Sequence, residues 1–321
     1  MKYRRLGRTA LQVSELCLGT MNFGPQASEP ESFAILDLAA ELGINFIDTA
    51  NQYGGHLGVG VSEVLVGKWL AQDPVRRDRI VLATKVYEPM SSDINDRGLS
   101  ARHIQMACDA SLKRLQVDHI DLYQFHHIDR IAPFEEVWQA CDQLIAQGKI
   151  TYVGSSNFPG WKIAQTNERT QASHRLGLVS EQSLYNLIER RAELEVIPAA
   201  IEYGLGVIAW SPLAGGLLAG PAVGPGGRRH SPNVRAEAVK YADQLASYTQ
   251  LCAALDQTPS AVALAWALHQ SGITASIIGP RTREQLALIA AVPDLKLSGE
   301  ILASLDAIFP PCGPAPEAYA W

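Results

Sequence analysis

The sequence predicts an α/β protein, a (β/α)8 TIM barrel that forms one domain over residues 1–321. Three observations favour this class. Eight short strand-like runs alternate with longer stretches of helical periodicity, which implies parallel strands joined by right-handed crossovers. The length of 321 residues suits a single barrel. No GxGxxG motif follows an early strand, which disfavours an open doubly wound sheet.

The first element is predicted to be a β-hairpin that caps the barrel. The stretch YRRLGRTALQVSEL contains two short runs separated by Gly7-Arg8-Thr9. Turn residues between two strand-like runs are typical of a hairpin. The barrel strands are expected to follow it at CLGT, INFIDTA, IVLATK, IDLYQFH, ITYVGSS, LVSEQ, GVIAW and TASIIG.

Five helices have the clearer periodicity and are predicted at Glu31–Leu42, Ser62–Ala71, Ser100–Leu115, Pro133–Gln147 and Thr282–Ala291. Pro133 suits a first helical turn, and Glu135 and Glu136 follow where negative charge complements the helix dipole. Gly43 and Gly148 suit the C-terminal ends of their helices.

Two segments are predicted to be irregular. The Gly/Pro-rich stretch Gly220–Asn233 is expected to form a long loop after the seventh strand, and its length is typical of a lid or ligand loop. The C-terminal stretch FPPCGPAPEAYAW is too rich in proline for a helix. A mobile terminus is one interpretation of it.

Composition restricts the partners and the compartment. The chain is 47% hydrophobic and 19% charged, with a net charge of -6. This disfavours nucleic acid or an anionic membrane as the main partner, because both attract basic surfaces. Five cysteines without a CxxC pair indicate reduced thiols. With no signal-peptide core and no apolar run of membrane-spanning length, the chain is predicted to be cytoplasmic, and no metal site is predicted.

Polar residues recur where predicted strands end, which is the catalytic edge of a barrel. Taken singly, Asp48 could be a helix cap and Tyr53 a packing aromatic. Lys85 could be a surface lysine or a member of a buried ion pair, and a histidine at a strand end could simply be a residue with satisfied hydrogen bonds. Their convergence on one rim instead favours a functional site. The residues concerned are Asp48 with Tyr53, Lys85, His126-His127, Ser155-Ser156-Asn157, Glu181-Gln182 and Trp210-Ser211.

These residue types can perform acid catalysis together. Tyrosine has an unperturbed pKa of about 10, which a nearby ammonium group lowers. A carboxylate paired with the lysine would hold that ammonium in place, and an imidazole could orient a carbonyl oxygen. The set is suited to protonate a developing alkoxide, as the reduction of an aldehyde or ketone by hydride requires.

Over essentially its whole length the chain resembles the aldo-keto reductase superfamily. The resemblance rests on an ordered set of motifs: LGRTALQVSELCLGTMNFG, NFIDTANQYG, LATKV, DLYQFHHID, GKITYVGSSNF, SEQSLYNLIERR, IAWSPLAGGLL and IIGPRTREQL. It looks closest to a bacterial branch that includes macrolide-sugar ketoreductases and relatives of the potassium-channel β-subunit.

The resemblance implies a catalytic tetrad of Asp48, Tyr53, Lys85 and His126. Tyr53 would donate the proton, Lys85 and Asp48 would adjust the acidity of Tyr53, and His126 would help to hold the carbonyl. His127 is the competing histidine. Since neighbours on a strand point to opposite faces, only one of the two is expected to reach the site, and the motif favours His126.

The resemblance also implies a nicotinamide cofactor. Ser156, Asn157 and Gln182 would hold its carboxamide, which needs donors and acceptors. Trp210 would face the nicotinamide, or else belong to the barrel core. The SPLAGGLL motif would cradle the pyrophosphate, because glycines permit close backbone approach. Its contributing residues would be Ser211, Pro212, Leu213, Gly215 and Leu217, while Gly19, Thr20, Met21 and Asp48 would lie beside the ribose and substrate.

The adenosine end is expected at Gly279, Arg281 and Gln285. An arginine suits a 2′-phosphate through its planar fork, so NADPH is favoured and NADH stays possible. Arg281 could otherwise be a solvated residue at a helix start. Ile289 stands where the family often has an adenine-binding asparagine, and Leu288 lies beside it, so part of the usual recognition is replaced.

The implied activity is reduction of a small-molecule aldehyde or ketone, possible substrates including a keto-sugar and a polycyclic or terpenoid ketone. Met21, Tyr53 and His126 would contact the substrate, and Tyr319 or Trp321 would cover it in a C-terminal loop. A regulatory subunit that binds NADPH and turns over slowly is the alternative. A Schiff-base aldolase using Lys85 is disfavoured, because Asp48 would keep that lysine charged.

The basic pair in LYNLIERRAELEV is predicted to be structural, with Arg190, Arg191 and Glu193 in ion pairs around a loop. The sequence leaves the oligomeric state open.

Overall fold

A computed structural model describes residues 1–220 and 230–315. Eight parallel strands close into a barrel, because the last of them pairs with the first. This confirms the predicted (β/α)8 class. The barrel strands are β3 (Leu16–Gly19), β4 (Phe46–Asp48), β5 (Val81–Val86), β6 (Ile120–Phe125), β7 (Ile150–Ser156), β8 (Leu178–Leu184), β9 (Gly206–Trp210) and β10 (Ile273–Ile278).

The predicted hairpin is confirmed and closes the N-terminal end of the barrel. Strands β1 (Tyr3–Arg5) and β2 (Gln12–Ser14) pair antiparallel. Leu6 and Val13 are fully buried and pack into the apolar cluster inside the barrel. The hairpin therefore acts as a plug whose side chains complete the barrel interior.

The turn of this hairpin is fixed by one glycine. Gly7 has a φ of 56°, a left-handed conformation that side chains disfavour. A Cβ atom at this position would lie 2.6 Å from the carbonyl oxygens of both Gly204 and Val179. The backbone of the turn thus sits directly against the barrel floor, where no side chain fits.

Twelve α-helices lie within the described residues, and a larger apolar cluster fills the space between the helices and the strands. Their bounds are α1 (Glu29–Glu41), α2 (Val61–Ala71), α3 (Val75–Asp78), α4 (Ala101–Leu115), α5 (Phe134–Ala146), α6 (Gly160–Ala172), α7 (Val196–Glu202), α8 (Pro232–Lys240), α9 (Ala242–Ala254), α10 (Pro259–His269), α11 (Arg283–Ile289) and α12 (Gly299–Ile308).

The five predicted helices are confirmed, with shifts of one or two residues at one or both ends. Helix α1 begins two residues earlier than predicted, because Ser28 and Glu31 form a reciprocal capping box. Pro133 is the N-cap of α5 and not part of its first turn. At the other ends, Gly43 and Gly148 follow their helices with φ values of 77° and 70°, as predicted for C-terminal glycines.

The two irregular segments lie partly outside the described residues. Of the predicted loop, residues 221–229 are not described, and its last two residues were predicted wrongly. The side chain of Ser231 caps α8, which begins at Pro232, because proline suits a first helical position. Tyr319 and Trp321 also lie outside the described residues.

The arginine-rich segment after β8 is structural, as predicted. Arg190 is buried, and its guanidinium contacts Glu193 at 2.8 Å and Asp306 on α12 at 2.6 Å. Arg191 instead pairs with Glu189. These contacts fasten the segment to the last helix.

None of the described helices is by itself long and apolar enough to cross a membrane. Helices α9 and α10 reach such a length only as a pair, across a bend of 93°.

Candidate active site

The ends of β4 and β5 place a carboxylate and an ammonium group side by side. Lys85 is fully buried, and its Nζ donates to Asp48 Oδ2 at 2.5 Å and to the carbonyl oxygen of Thr49 at 2.9 Å. The same Nζ lies 3.2 Å from the hydroxyl oxygen of Tyr53. Three of the predicted tetrad members are therefore in direct contact.

The charge of this lysine is maintained by its partners. Burial alone would lower the pKa of Lys85, but the Asp48 carboxylate and the Tyr53 hydroxyl together raise it above its ordinary value. The ammonium form is consequently stable at neutral pH beneath the tyrosine.

Asp48 is held from two further sides. Its second oxygen, Oδ1, accepts hydrogen bonds from the side-chain amides of Gln124 and Gln182, each at 2.9 Å. Both carboxylate oxygens are thus occupied, and the alternative of Asp48 as a helix cap is wrong. Sequence reasoning missed Gln124, although a glutamine inside the apolar run DLYQFH was an available signal.

Tyr53 lies in the loop after β4, with its hydroxyl turned toward Lys85. The Lys85 Nζ is 4.9 Å from the centroid of the Tyr53 ring. The ring of His126 meets that of Tyr53 edge to face, with centroids 5.9 Å apart. All four members of the predicted tetrad are therefore gathered at one place.

His126 is a neutral imidazole at physiological pH. Burial is the main cause that lowers its pKa, and the charges of Lys85 and His127 add to this, to about 2. A neutral ring can donate one hydrogen bond to a carbonyl oxygen, but its remaining N–H is too weakly acidic to transfer a proton.

The expectation that only one of the two histidines reaches the site is wrong. The rings of His126 and His127 are nearly parallel, with centroids 5.1 Å apart, and both line the same cavity. Strand β6 ends at Phe125, so the two histidines belong to the turn that follows. The alternation of side chains along a strand does not extend to them.

A second cluster lies at the end of β7. Asn157 has a φ of 58°, and its side-chain amide donates to the carbonyl oxygen of His126 at 3.1 Å. Its Oδ1 accepts from the indole Nε1 of Trp210 at 3.1 Å. Ser156 Oγ donates to the carbonyl oxygen of Gln182 at 2.8 Å. These bonds connect the ends of four strands, β6 to β9, around the floor of the cavity.

Glu181 anchors this cluster from below. It is fully buried and accepts hydrogen bonds from Ser155 Oγ, from Ser183 Oγ at 2.8 Å and from the backbone N–H of Phe158 at 3.1 Å. Burial raises the pKa of Glu181 to about 7, while the donors from Ser155, Ser183 and Phe158 oppose that shift. Sequence reasoning noted Glu181 at a strand end without assigning it a role.

A cavity of about 710 Å³ opens above these residues. It runs from Tyr53 to α11, and most of the predicted site residues line it. Those residues are Gly19, Met21, Asp48, Tyr53, His126, Ser156, Asn157, Gln182, Trp210, Ser211, Pro212, Leu213, Gly215, Gly279, Arg281 and Gln285.

Two predicted cofactor residues do not line the cavity. Thr20 is fully buried, and its N–H and hydroxyl both donate to the carbonyl oxygen of Asp48 at 3.0 and 3.2 Å. Both hydrogen-bond donors of Thr20 thus stabilise the end of β4 and do not face a ligand. Leu217 is 2% exposed, because its apolar side chain is buried in the turn after β9.

The remainder of the cavity suits a long ligand with a phosphate segment. Gly215 and Gly216, with φ values of 66° and 102°, turn the backbone after β9 without a side chain over the cavity. At the far end Gln285 Oε1 accepts from the Arg281 N–H at 2.9 Å, which fixes the loop that carries the arginine. Leu288 lines this end and is 71% exposed, so an apolar surface stands beside Arg281.

Comparison with known proteins accounts for this arrangement. The profile of the aldo/keto reductase family matches residues 15–309. The chain belongs to the aldo/keto reductase family. It is therefore an NAD(P)H-dependent oxidoreductase. Its membership of this family supports carbonyl reduction as the general type of reaction.

Curated relatives of this aldo/keto reductase include both enzymes and a channel-associated protein. It is 50% identical to the uncharacterized oxidoreductase YrpG of Bacillus subtilis, over 100% of both chains. It is 31% identical to versiconal hemiacetal acetate reductase of Aspergillus parasiticus, over 97% of this chain and 98% of the relative. A putative voltage-gated potassium channel subunit beta of Schizosaccharomyces pombe is 33% identical, over 95% and 92%. The predicted likeness to channel β-subunits is thereby confirmed.

Proposed function

We propose that this aldo/keto reductase uses NADPH to reduce an aldehyde or ketone to the alcohol, with Tyr53 as the proton donor. One observation carries the proposal. The hydroxyl oxygen of Tyr53 lies 3.2 Å from an ammonium group that is itself held by Asp48 at 2.5 Å. A buried cation beside a phenol stabilises the phenolate that remains after proton transfer.

NADPH, when bound in this cavity, would supply a hydride to the carbonyl carbon, and the side chains of the protein would supply the proton. The carbonyl oxygen takes the proton from Tyr53 Oη, while the neutral ring of His126 donates a hydrogen bond to the same oxygen. Lys85 keeps its proton and offsets the negative charge that develops on Tyr53. Asp48, held by two glutamine amides, fixes the position of Lys85.

The choice of NADPH rests on the far end of the cavity. Arg281 lines this end, and its guanidinium can pair with a 2′-phosphate in a two-pronged geometry. NADH has no 2′-phosphate that could pair with the Arg281 guanidinium. Ile289, which stands where the family often has an amide, and the neighbouring Leu288 would supply apolar contacts there.

The proposal is tested by following NADPH oxidation by absorbance against a panel of aldehydes, diketones, keto-sugars and polycyclic ketones. Tyr53→Phe removes the proton donor and leaves the cavity intact. We expect turnover to fall by about 10²- to 10⁴-fold. NADPH binding, measured by calorimetry, should remain close to the wild-type value. Tyr203→Phe, a change at a tyrosine on the surface hydrogen-bonded to Glu168, serves as the matched control.

A regulatory subunit with slow turnover is the second candidate. The 33% identity to a putative potassium channel subunit beta favours it, while the intact contacts among Asp48, Tyr53 and Lys85 favour an enzyme. Tight NADPH binding without turnover on any carbonyl of the panel would decide for the regulatory subunit. A Schiff-base aldolase would need a neutral lysine, and the raised pKa of Lys85 opposes it.

We further propose a cytoplasmic location. All five cysteines lie within the described residues, and none of them is paired with another. Free thiols of this kind are typical of a reducing compartment.

A further inference from the structure

A row of four side chains leads from the proposed proton donor to the mouth of the cavity. Beyond Tyr53 and His126, the ring of His127 lies 5.1 Å from that of His126. The Nε2 of His127 in turn lies 3.0 Å from Oε1 of Glu88. All four residues line the cavity, so His127 and Glu88 are within reach of a substrate held at Tyr53.

The outer pair is positioned before any substrate arrives. The ring of Tyr87 meets the ring of His127 edge to face at 5.5 Å and restricts its orientation. The side chains of His127 and Glu88 are 41% and 27% exposed, respectively. They are thus open to the cavity yet partly withdrawn from solvent, where a hydrogen bond contributes more than in open water.

The spacing specifies where a substrate group would meet this pair. With bonds of about 1.5 Å, the 5.1 Å between the two histidine rings corresponds to about four bonds of an extended chain. If the carbonyl oxygen lies at His126, the group that reaches His127 and Glu88 is carried one or two carbons from the carbonyl carbon.

We propose that Glu88 and His127 form a recognition subsite for a hydroxyl group, so that the enzyme prefers hydroxylated aldehydes and ketones. This inference rests on the proposed reductase function. A carboxylate can accept about four hydrogen bonds, so its contact with His127 leaves capacity for a hydroxyl donor. A purely apolar ketone would leave the remaining acceptor capacity of Glu88 unused, and the negative charge of Glu88 opposes 2-oxo acids.

The experiment compares ketones of equal size that differ in one hydroxyl. The pairs are hydroxyacetone with 2-butanone, and 4-hydroxy-2-butanone with 2-pentanone, with NADPH at saturation. We expect at least one hydroxylated ketone to be preferred by about 10- to 100-fold in kcat/KM, which is the usual range for a hydrogen bond to a charged group. Pyruvate should be a poor substrate.

Substitutions separate recognition from intrinsic reactivity. A neighbouring hydroxyl also makes a carbonyl more reactive, but that effect is the same for every variant. The preference, which is the ratio of kcat/KM for the hydroxylated ketone to kcat/KM for its apolar counterpart, should therefore collapse in Glu88→Leu and in His127→Phe, mainly through a higher KM for the hydroxylated ketone. Glu88→Gln keeps an acceptor and should retain part of the preference. Glu300→Leu, at an exposed carboxylate on α12, should change nothing.

The outcomes distinguish this inference from the function on which it rests. If none of the ketones or panel carbonyls is reduced, the reductase proposal and the subsite both fail. If 2-butanone and 2-pentanone are reduced and the hydroxyl preference is absent, or is equal in wild type and Glu88→Leu, only the subsite is overturned. A strong preference for pyruvate would overturn it as well.

Discussion

Asp48 shows how one side chain organises the proposed catalytic group. Its two oxygens bind Lys85 on one side and two glutamine amides on the other. Because the pair of Asp48 and Lys85 is buried, removal of one charge leaves the other without compensation. The same contact therefore affects both stability and turnover.

Replacement of Asp48 by asparagine tests this dual role. The asparagine amide would face the Lys85 ammonium with no negative charge, so we expect a loss of about 3 kcal/mol in the free energy of unfolding. Turnover should fall by at least about 100-fold. Urea denaturation and steady-state kinetics measure the two effects. Asp306→Asn, which removes a half-exposed partner of Arg190, is the control and should spare turnover.

Arg281 carries the predicted cofactor preference. Arg281→Ala removes the only proposed partner of the 2′-phosphate, so Kd for NADPH should rise by about 10- to 100-fold. The affinity for NADH should stay nearly constant, because NADH has no such phosphate. Fluorescence titration with both cofactors measures the ratio. An equal loss for both would show that Arg281 instead stabilises the loop before α11.

At the scale of elements, the ends of β7 and β8 are joined by a buried carboxyl group. Glu181 collects donors from Ser155, Ser183 and the Phe158 N–H, and so supports the turn that carries Asn157 in a left-handed conformation. Such a conformation costs free energy unless neighbouring contacts enforce it. The nicotinamide end of the proposed site therefore depends on Glu181.

The raised pKa of Glu181 makes stability depend on pH. Its pKa is about 7 in the folded protein against a reference of 4.5, so the folded state binds the proton more tightly. The protonated Glu181 stabilises the folded state fully below about pH 4.5, and this stabilisation is lost as the pH rises through about 7. The total loss in the free energy of unfolding is up to about 3 kcal/mol. Relative to Glu181→Gln, the wild type should therefore become less stable between pH 5 and 8.

Denaturation of both proteins across that range gives the comparison. Glutamine can keep the acceptor for Phe158 N–H and Ser183 and donate to Ser155 Oγ, so the variant should fold. Parallel stability curves for the two proteins would contradict a titrating Glu181. Glu181→Leu, in contrast, leaves three buried hydrogen-bond donors without an acceptor, so this variant should unfold far more easily at every pH.

Some elements could be predicted from periodicity and others could not. Helices α1 and α5 have one apolar face and were located within a few residues. Helix α10 is buried on all sides from Ala261 to Leu268 and so has no contrast between faces. It was not among the predicted helices for that reason. The same limit applies to Gln124, whose polar side chain is buried within an apolar strand.

At the scale of the whole molecule, the barrel is closed at one end by the hairpin and open to the cavity at the other. The plug brings Gly7 against the barrel floor, while every proposed catalytic group lies at the opposite edge. One end therefore serves stability and the other chemistry. The organisation of residues 1–321 as one domain stays a prediction, because 221–229 and 316–321 lie outside the described residues.

A pair of glycine substitutions tests the plug. Gly7→Ala brings a Cβ within 2.7 Å of three backbone atoms and adds left-handed strain, so we expect a loss of about 2–4 kcal/mol in unfolding free energy. Gly148→Ala has similar strain at a φ of 70° with nothing within 4 Å, and should lose only about 1 kcal/mol. Thermal or urea denaturation of both variants gives the difference. Equal losses would mean that strain alone, and not contact with the barrel floor, makes Gly7 necessary.

The sequence by itself determined the barrel, the order of its strands, and the residues that stand where strands end, because local periodicity and chain order fix which groups share an edge. It also predicted the four residues of the proposed tetrad through the family resemblance. Only the tertiary structure decided how those groups are used. In the structure both histidines line the cavity, Thr20 and Leu217 do not, and Gln124 donates a hydrogen bond to Asp48. The contacts of Thr20 and Gln124 with Asp48 join segments far apart in the chain, and no local pattern encodes such distances. The position of the two histidines depends on the exact residue at which β6 ends, which periodicity does not define.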